Sequence, residues 1–155
     1  MRKFNFIIIV FFILMTCSIS NANDLIKISS YENKSFFVSK SDIRQNITNY
    51  RNGDTIMITI MIVFLTKEES QKYMKENPCW RNNGNDYKYI LEYYRFSFEE
   101  LKGMTTSRDA YDKFGQHLCE DGRFGSIKMK DNPTFIKLKK IFNDADRKEK
   151  LEPPQ

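Results

Sequence analysis

The sequence predicts an α+β fold: a single small domain with a mixed or antiparallel sheet of about four strands and helices packed on it. Two observations lead to this prediction. Residues 54–66 alternate in a β-branched run with apolar side chains on both faces, which is typical of a central strand covered on both sides. Several other segments place apolar residues at helical spacing after residues that favour helix N-caps.

The first elements lie before that central strand. Short strands are predicted at 25–29 and 34–39, on either side of a turn-like Ser-Tyr-Glu-Asn sequence. Ser41 is a candidate N-cap for a short helix that follows the second strand. Gly53 then predicts a turn, because glycine adopts positive φ at low cost.

A helix at 67–77 follows the central strand. Thr66 and Glu69 have the spacing of a capping box, and Asn77-Pro78 ends the helical pattern. The next predicted strand, at 87–98, is rich in aromatic residues that alternate with polar ones.

The C-terminal part is predicted to be mainly helical. A short helical turn at 98–104 precedes a helix of about three turns that begins at Ser107 and ends near Asp121-Gly122. Its apolar stripe would consist of Ala110, Tyr111, Phe114 and Leu118. An edge strand at 123–130 and a helix capped by Asp131, with Pro133 in its first turn, complete the domain.

The N-terminus has the pattern of a secretory signal. Basic residues at 2–3 precede an apolar run at 6–15, and small residues follow at Ser20 and Ala22. We therefore predict a cleaved signal at 1–22, one domain at 23–150 and a disordered tail at 151–155. The protein would be exported to the periplasm or the extracellular medium.

Two alternative interpretations of the N-terminus would attach the protein to a membrane. An uncleaved anchor is disfavoured, because about 20 apolar residues are needed to cross a bilayer and this run has about ten. No stable membrane span is expected after cleavage. Cys17 leaves a lipoprotein open, although the residues before it resemble the lipidation box only weakly.

The charge pattern argues against a nucleic-acid partner. The chain has a formal net charge of +5, and the two basic residues at 2–3 would leave with the signal. The remaining charges are of mixed sign, without the block of arginines and lysines that contacts phosphates.

Two cysteines, Cys79 and Cys119, remain after the predicted cleavage. An exported chain enters an oxidising compartment, in which paired thiols tend to form disulfides. Only one intramolecular pairing is available, so the sequence predicts a Cys79–Cys119 disulfide. Closing a loop of this length would stabilise the fold by about 4 kcal/mol in the chain-entropy description.

Few arrangements of residues suggest catalysis. Cys79 with His117, the only histidine, would form a nucleophile and base, but no helix N-terminus follows Cys79 to lower its pKa. Glu92 would be an acid if it faced a tyrosine-lined cleft, although a solvated position beside Lys88 is favoured. A metal site of Cys79, His117 and Cys119 is disfavoured, because the last two point apart on a helix. No catalytic residue, metal or cofactor is therefore predicted.

The aromatic residues favour binding. Tyr87, Tyr89 and Tyr93 follow a loop that contains Trp80 and Arg81. Tyrosine, tryptophan and arginine contribute most to the energy of protein interfaces. We therefore expect a small, exported, non-enzymatic protein that binds another protein, such as an inhibitor, an immunity-type protein or an envelope accessory protein. The alternatives are a secreted hydrolase that uses Glu92 or the Cys79/His117 pair, and a small-ligand carrier.

Overall fold

The computed structural model describes residues 24–76, 87–122 and 125–151. These residues form an α+β domain in which three helices accompany one antiparallel sheet of seven strands. The strands are β1 (Leu25–Tyr31), β2 (Lys34–Ser39), β3 (Ile56–Phe64), β4 (Tyr89–Ser97), β5 (Lys102–Tyr111), β6 (His117–Asp121) and β7 (Gly125–Lys128). The helices are α1 (Lys40–Asn52), α2 (Lys67–Glu76) and α3 (Pro133–Leu151). Strands β1 to β6 follow chain order in the sheet, and β7 pairs with β5 along the same edge as β6.

Local sequence explains the first connections. Glu32 and Asn33 both have positive φ, of 49° and 55°, so they form the kind of two-residue turn that suits the twist of a hairpin. Ser39 caps α1, because its hydroxyl accepts a hydrogen bond from the Ser41 amide at 3.0 Å. Gly53 ends the helix with φ of 74°, as the sequence predicts.

The core lies between the helices and one face of the sheet. Every second residue of β3 is buried on that face, namely Ile56, Ile58, Ile60, Ile62 and Phe64. Helix α1 contributes Ile43 and Ile47 to the same core, and α3 contributes Leu138 and Phe142, both 0% exposed. The helical spacing of these side chains is what holds each helix on the sheet.

Helix α3 is amphipathic along its length. Phe135, Leu138 and Phe142 face the core, while Lys137 and Lys140 are exposed to solvent. No helix within the described residues is long and apolar enough to cross a membrane.

The prediction that β3 is covered on both faces is wrong for the described part of the chain. Its burial alternates strictly, and Met57 on the second face is 67% exposed. The three helices pack on the first face. The second face therefore carries apolar side chains that no described helix covers.

The predicted helix from Ser107 is also wrong. Residues 102–111 and 117–121 are strands β5 and β6, joined by a turn at 112–116. The Asp112 carboxylate accepts hydrogen bonds from the amides of Phe114 and Gln116, at 2.8 and 2.9 Å, and Gly115 has φ of 78°. Phe114, a member of the predicted apolar stripe, is 82% exposed. The sheet therefore has seven strands rather than about four, and β7 lies within the edge strand predicted at 123–130.

The predicted disulfide between Cys79 and Cys119 is likewise not shown by the described residues. Cys119 is the only cysteine among the described residues, because Cys17 and Cys79 both lie outside them. Cys119 is buried on the core face of β6, where the Tyr87 hydroxyl lies 3.8 Å from its Sγ. Its predicted pairing with Cys79 has no support from the described structure.

We predict that Gly103→Ala destabilises the fold. A Cβ atom on Gly103 would lie 2.8 Å from the Cβ of Phe96 and 3.3 Å from the side chains of Ile127 and Met129. Overpacking of this kind costs about 1–3 kcal/mol. The control is Gly125→Ala in β7, whose new Cβ would meet nothing within 4 Å. Urea unfolding should separate the two variants, and equal midpoints would contradict the packing of β5 against β4 and β7.

Candidate functional site: an open face of the sheet

We call the sheet surface opposite the helices the open face. The pairing register of the strands places its side chains in rows that cross from strand to strand. Its members in β3, β4 and β5 are Met57, Thr59, Met61, Val63, Tyr89, Leu91, Tyr93, Arg95, Met104, Ser107, Asp109 and Tyr111. An antiparallel sheet with one solvated face normally carries polar residues there. The open face is instead largely aromatic and apolar.

One row consists of stacked rings. Tyr89 and Tyr111 are paired residues on β4 and β5, and their rings stack with centroids 4.7 Å apart and planes 9° apart. His117 on β6 meets the Tyr111 ring edge-on at 5.3 Å. Pairs of this kind stabilise a sheet by about 0.2–1 kcal/mol each, so the row is a fixed platform.

A hydrogen-bonded group lies beside this row. The Tyr93 hydroxyl donates to Asp109 Oδ2 at 2.8 Å, and His117 Nε2 lies 3.2 Å from Asp109 Oδ1. Burial, and then the hydrogen bond to the Asp109 carboxylate, raise the pKa of Tyr93 to about 12. Tyr93 therefore remains a protonated donor near neutral pH and holds Asp109 in place.

The most exposed row, which we call the methionine row, lies at the other end of these strands. Met57, Arg95 and Met104 are neighbours on β3, β4 and β5. Met57 is 67% exposed, Met104 is 43% exposed, and Arg95 between them is also exposed. Methionine and arginine are enriched at protein interfaces, and a flexible thioether adapts to an irregular partner surface.

Charges mark both ends of the open face. Arg95 provides a positive charge in the methionine row, whereas Asp109 and its cross-strand neighbour Glu120 provide negative charges on β5 and β6. Glu120 is exposed and Asp109 is half-buried. A partner surface with the opposite arrangement of charges would be oriented by this polarity.

The predicted binding residues have different outcomes. Trp80, Arg81 and the neighbouring Cys79 lie outside the described residues. Tyr87 is 3% exposed, with its hydroxyl 3.8 Å from Cys119 Sγ, so it lies in the core and not on the open face. Tyr89 and Tyr93 do lie together on the open face.

Other residues of the open face were not predicted from the sequence. The predicted helix from Ser107 included Asp109 and Tyr111, and a helical pattern does not show that they alternate with the buried Ala110 along a strand. Met57 and Met104 come from strands distant in sequence, so only the pairing register shows that they flank Arg95.

Glu92 lies on the opposite face, in a buried polar cluster. Its carboxylate accepts hydrogen bonds from the Tyr73 hydroxyl, at 3.1 Å, and from the Tyr94 hydroxyl. Arg108 Nε lies 3.1 Å from the same carboxylate, and the guanidinium stands over the Tyr73 ring. The expected solvated position beside Lys88 is therefore wrong, because Glu92 is 6% exposed.

This cluster is better arranged for stability than for hydrolysis. The side chain of Glu92 is 8% exposed, so a substrate has little access to it. Burial is the main cause that raises the pKa of Tyr73 and of Tyr94, so both hydroxyls stay protonated and keep donating to Glu92. Within the described residues, no group of three or more His, Cys, Asp or Glu could hold a metal ion.

We predict that Glu92→Gln lowers the free energy of unfolding by about 3 kcal/mol, because it leaves the charge of Arg108 without this carboxylate in a buried setting. Glu100→Gln is the matched control, since its carboxylate lies 3.9 Å from Lys102 in an exposed pair. That change should stay within about 0.5 kcal/mol. Urea unfolding measures both, and a neutral effect of Glu92→Gln would contradict the arrangement.

We also predict that Asp109→Asn lowers the pKa of Tyr93 by roughly one pH unit, since it removes the negative charge that opposes ionisation. Ultraviolet difference titration of the tyrosines, compared with Tyr93→Phe, identifies the ring responsible. Glu100→Gln serves as the control, because this exposed carboxylate is not among the groups that raise the pKa of Tyr93. An unchanged titration in Asp109→Asn would show that this hydrogen bond does not form in solution.

No protein family, no curated protein and no solved structure matches this chain. The assignment of a function therefore depends on the residues of the open face.

Proposed function

We propose that this protein is a small, exported, non-enzymatic protein that binds another protein through the open face. The observation that favours this is the composition of that face. Its tyrosines, its methionines and Arg95 are the residue types enriched where proteins meet, and they lie on one surface that no described helix covers.

The chemistry of the partner follows from the charges. The open face offers an apolar centre around Met61 and Leu91, with Arg95 toward one end and Glu120 toward the other. We propose a partner with an apolar patch, an acidic group that pairs with Arg95 and a basic group that pairs with Glu120. An inhibitor, an immunity-type protein or an envelope accessory protein would have such a partner in the compartment to which the predicted signal at 1–22 would export it.

We predict that Met57→Glu with Met104→Glu abolishes capture of the partner. Tagged wild-type protein is used to capture proteins from an extract of the producing cells, and each captured protein is purified. The dissociation constant of the complex with that captured protein should be at least tenfold higher for the double variant than for wild type. This ratio corresponds to a loss of about 1.4 kcal/mol in binding free energy. Both positions are exposed, so the fold should tolerate the change.

Ile136→Glu is the control. Ile136 is 57% exposed on α3, at the outer surface of the helical layer, so this variant tests the same kind of change away from the open face. Equal affinities for the double variant and wild type would refute binding through the open face. A concentration-dependent dimer that Met57→Glu disrupts would instead identify a second copy of this chain as the occupant and refute the heterologous partner.

A further inference from the structure

A surface cleft of about 430 Å³ lies at the end of the sheet remote from Met57. It is formed where β3 runs into α2, where β4 begins, and where the turn joins β5 to β6. All three of these segments contribute side chains to its lining. Sites for small ligands commonly have volumes of about 300–1,000 Å³.

Part of the cleft wall is apolar. Phe64 and Tyr87 are buried and form its inner surface, whereas Leu65 is 56% exposed and Phe114 is 82% exposed at its rim. The turn that carries Phe114 is held in place, because the Asp112 carboxylate accepts two backbone hydrogen bonds from it. A fixed turn that exposes a phenylalanine beside a cleft provides contact area for an apolar ligand group.

The charged groups of the cleft are mainly basic. Lys67, Lys88 and Lys113 line it and are exposed, and Lys113 Nζ lies 4.9 Å from the centre of the Phe114 ring. The single acidic residue of the lining, Asp112, directs a carboxylate oxygen at the backbone of its own turn. Three lysines and one carboxylate therefore line a cleft that also has an apolar part, so its charge favours an anion.

We propose that this cleft binds a small amphipathic acid: a carboxylate that contacts the lysines, joined to an apolar group that packs between Leu65 and Phe114. The inference goes beyond the proposed protein partner and does not depend on it. Phe64, which lines the cleft, is at the C-terminal end of β3. Met57 of the methionine row is near the N-terminal end of the same strand. The two sites are therefore separate surfaces of one sheet.

Hexanoate is a suitable probe, with hexanamide as its neutral counterpart of nearly equal size. In a titration of ¹⁵N-labelled protein followed by NMR, hexanoate should produce saturable amide shifts at Leu65, Lys67 and Phe114. Hexanamide should bind at least tenfold more weakly, because it lacks the charge that the lysines recognise.

Two triple variants with the same change in net charge test the role of the lysines. Changing Lys67, Lys88 and Lys113 to Gln should weaken hexanoate binding at least tenfold. Changing Lys137, Lys140 and Lys148 on α3 to Gln should leave it within twofold. The dispersion of each amide spectrum shows that the variant is folded.

The proposal is overturned by any of three results: hexanoate produces no saturable shifts at the cleft, hexanamide binds equally well, or the two triple variants lose affinity to the same extent. Failure of the protein-binding proposal is distinguishable, since Met57→Glu with Met104→Glu should retain wild-type affinity for hexanoate.

Discussion

The packing of all three helices on one face of the sheet is the constraint on which the rest of this structure depends. Strand β3 supplies five apolar side chains to that face, and α1 and α3 close over them. Because side chains alternate along a strand, burying Ile58 and Ile60 forces Thr59 and Met61 onto the opposite surface. The open face is thus a consequence of the same register that builds the core, and its composition is a separate property of the sequence.

The helices are held on the sheet in different ways. Helices α1 and α3 bury apolar stripes, but the only fully buried residue of α2 is Ser70, whose hydroxyl donates to the Tyr87 carbonyl at 2.6 Å. Tyr73 of the same helix reaches Glu92 on β4. Polar contacts have strict distances and directions, so they fix the position of α2 rather than merely keeping it near the sheet. The start of α2, which borders the cleft, gains a defined place from them.

Sequence patterns predicted the elements whose periodicity is local. The strand at 54–66 and the helix from Asp131 were placed to within a few residues, because apolar residues with a single dominant period define them. The hairpin of β5 and β6 was missed, since Ala110, Phe114 and Leu118 also fit a helical stripe; the φ of Gly115 decides against it. The burial of Glu92 had no local signal at all. It depends on Tyr73 and Arg108, which reach it only after α2 and β5 have docked.

The turn at 112–116 adjoins both proposed sites. Phe114 lines the cleft, while a Cβ atom on Gly115 would lie 3.9 Å from the Tyr89 hydroxyl, at the end of the open face. Coupling between two sites requires an element with two arrangements that each ligand biases differently. Asp112 stabilises the observed arrangement of this turn: its carboxylate accepts hydrogen bonds from two amides, and its own amide donates to the Gln116 carbonyl at 3.1 Å. Because a second arrangement would break these hydrogen bonds, we expect a ligand in the cleft to leave the tyrosine platform in place and the two sites to be occupied independently.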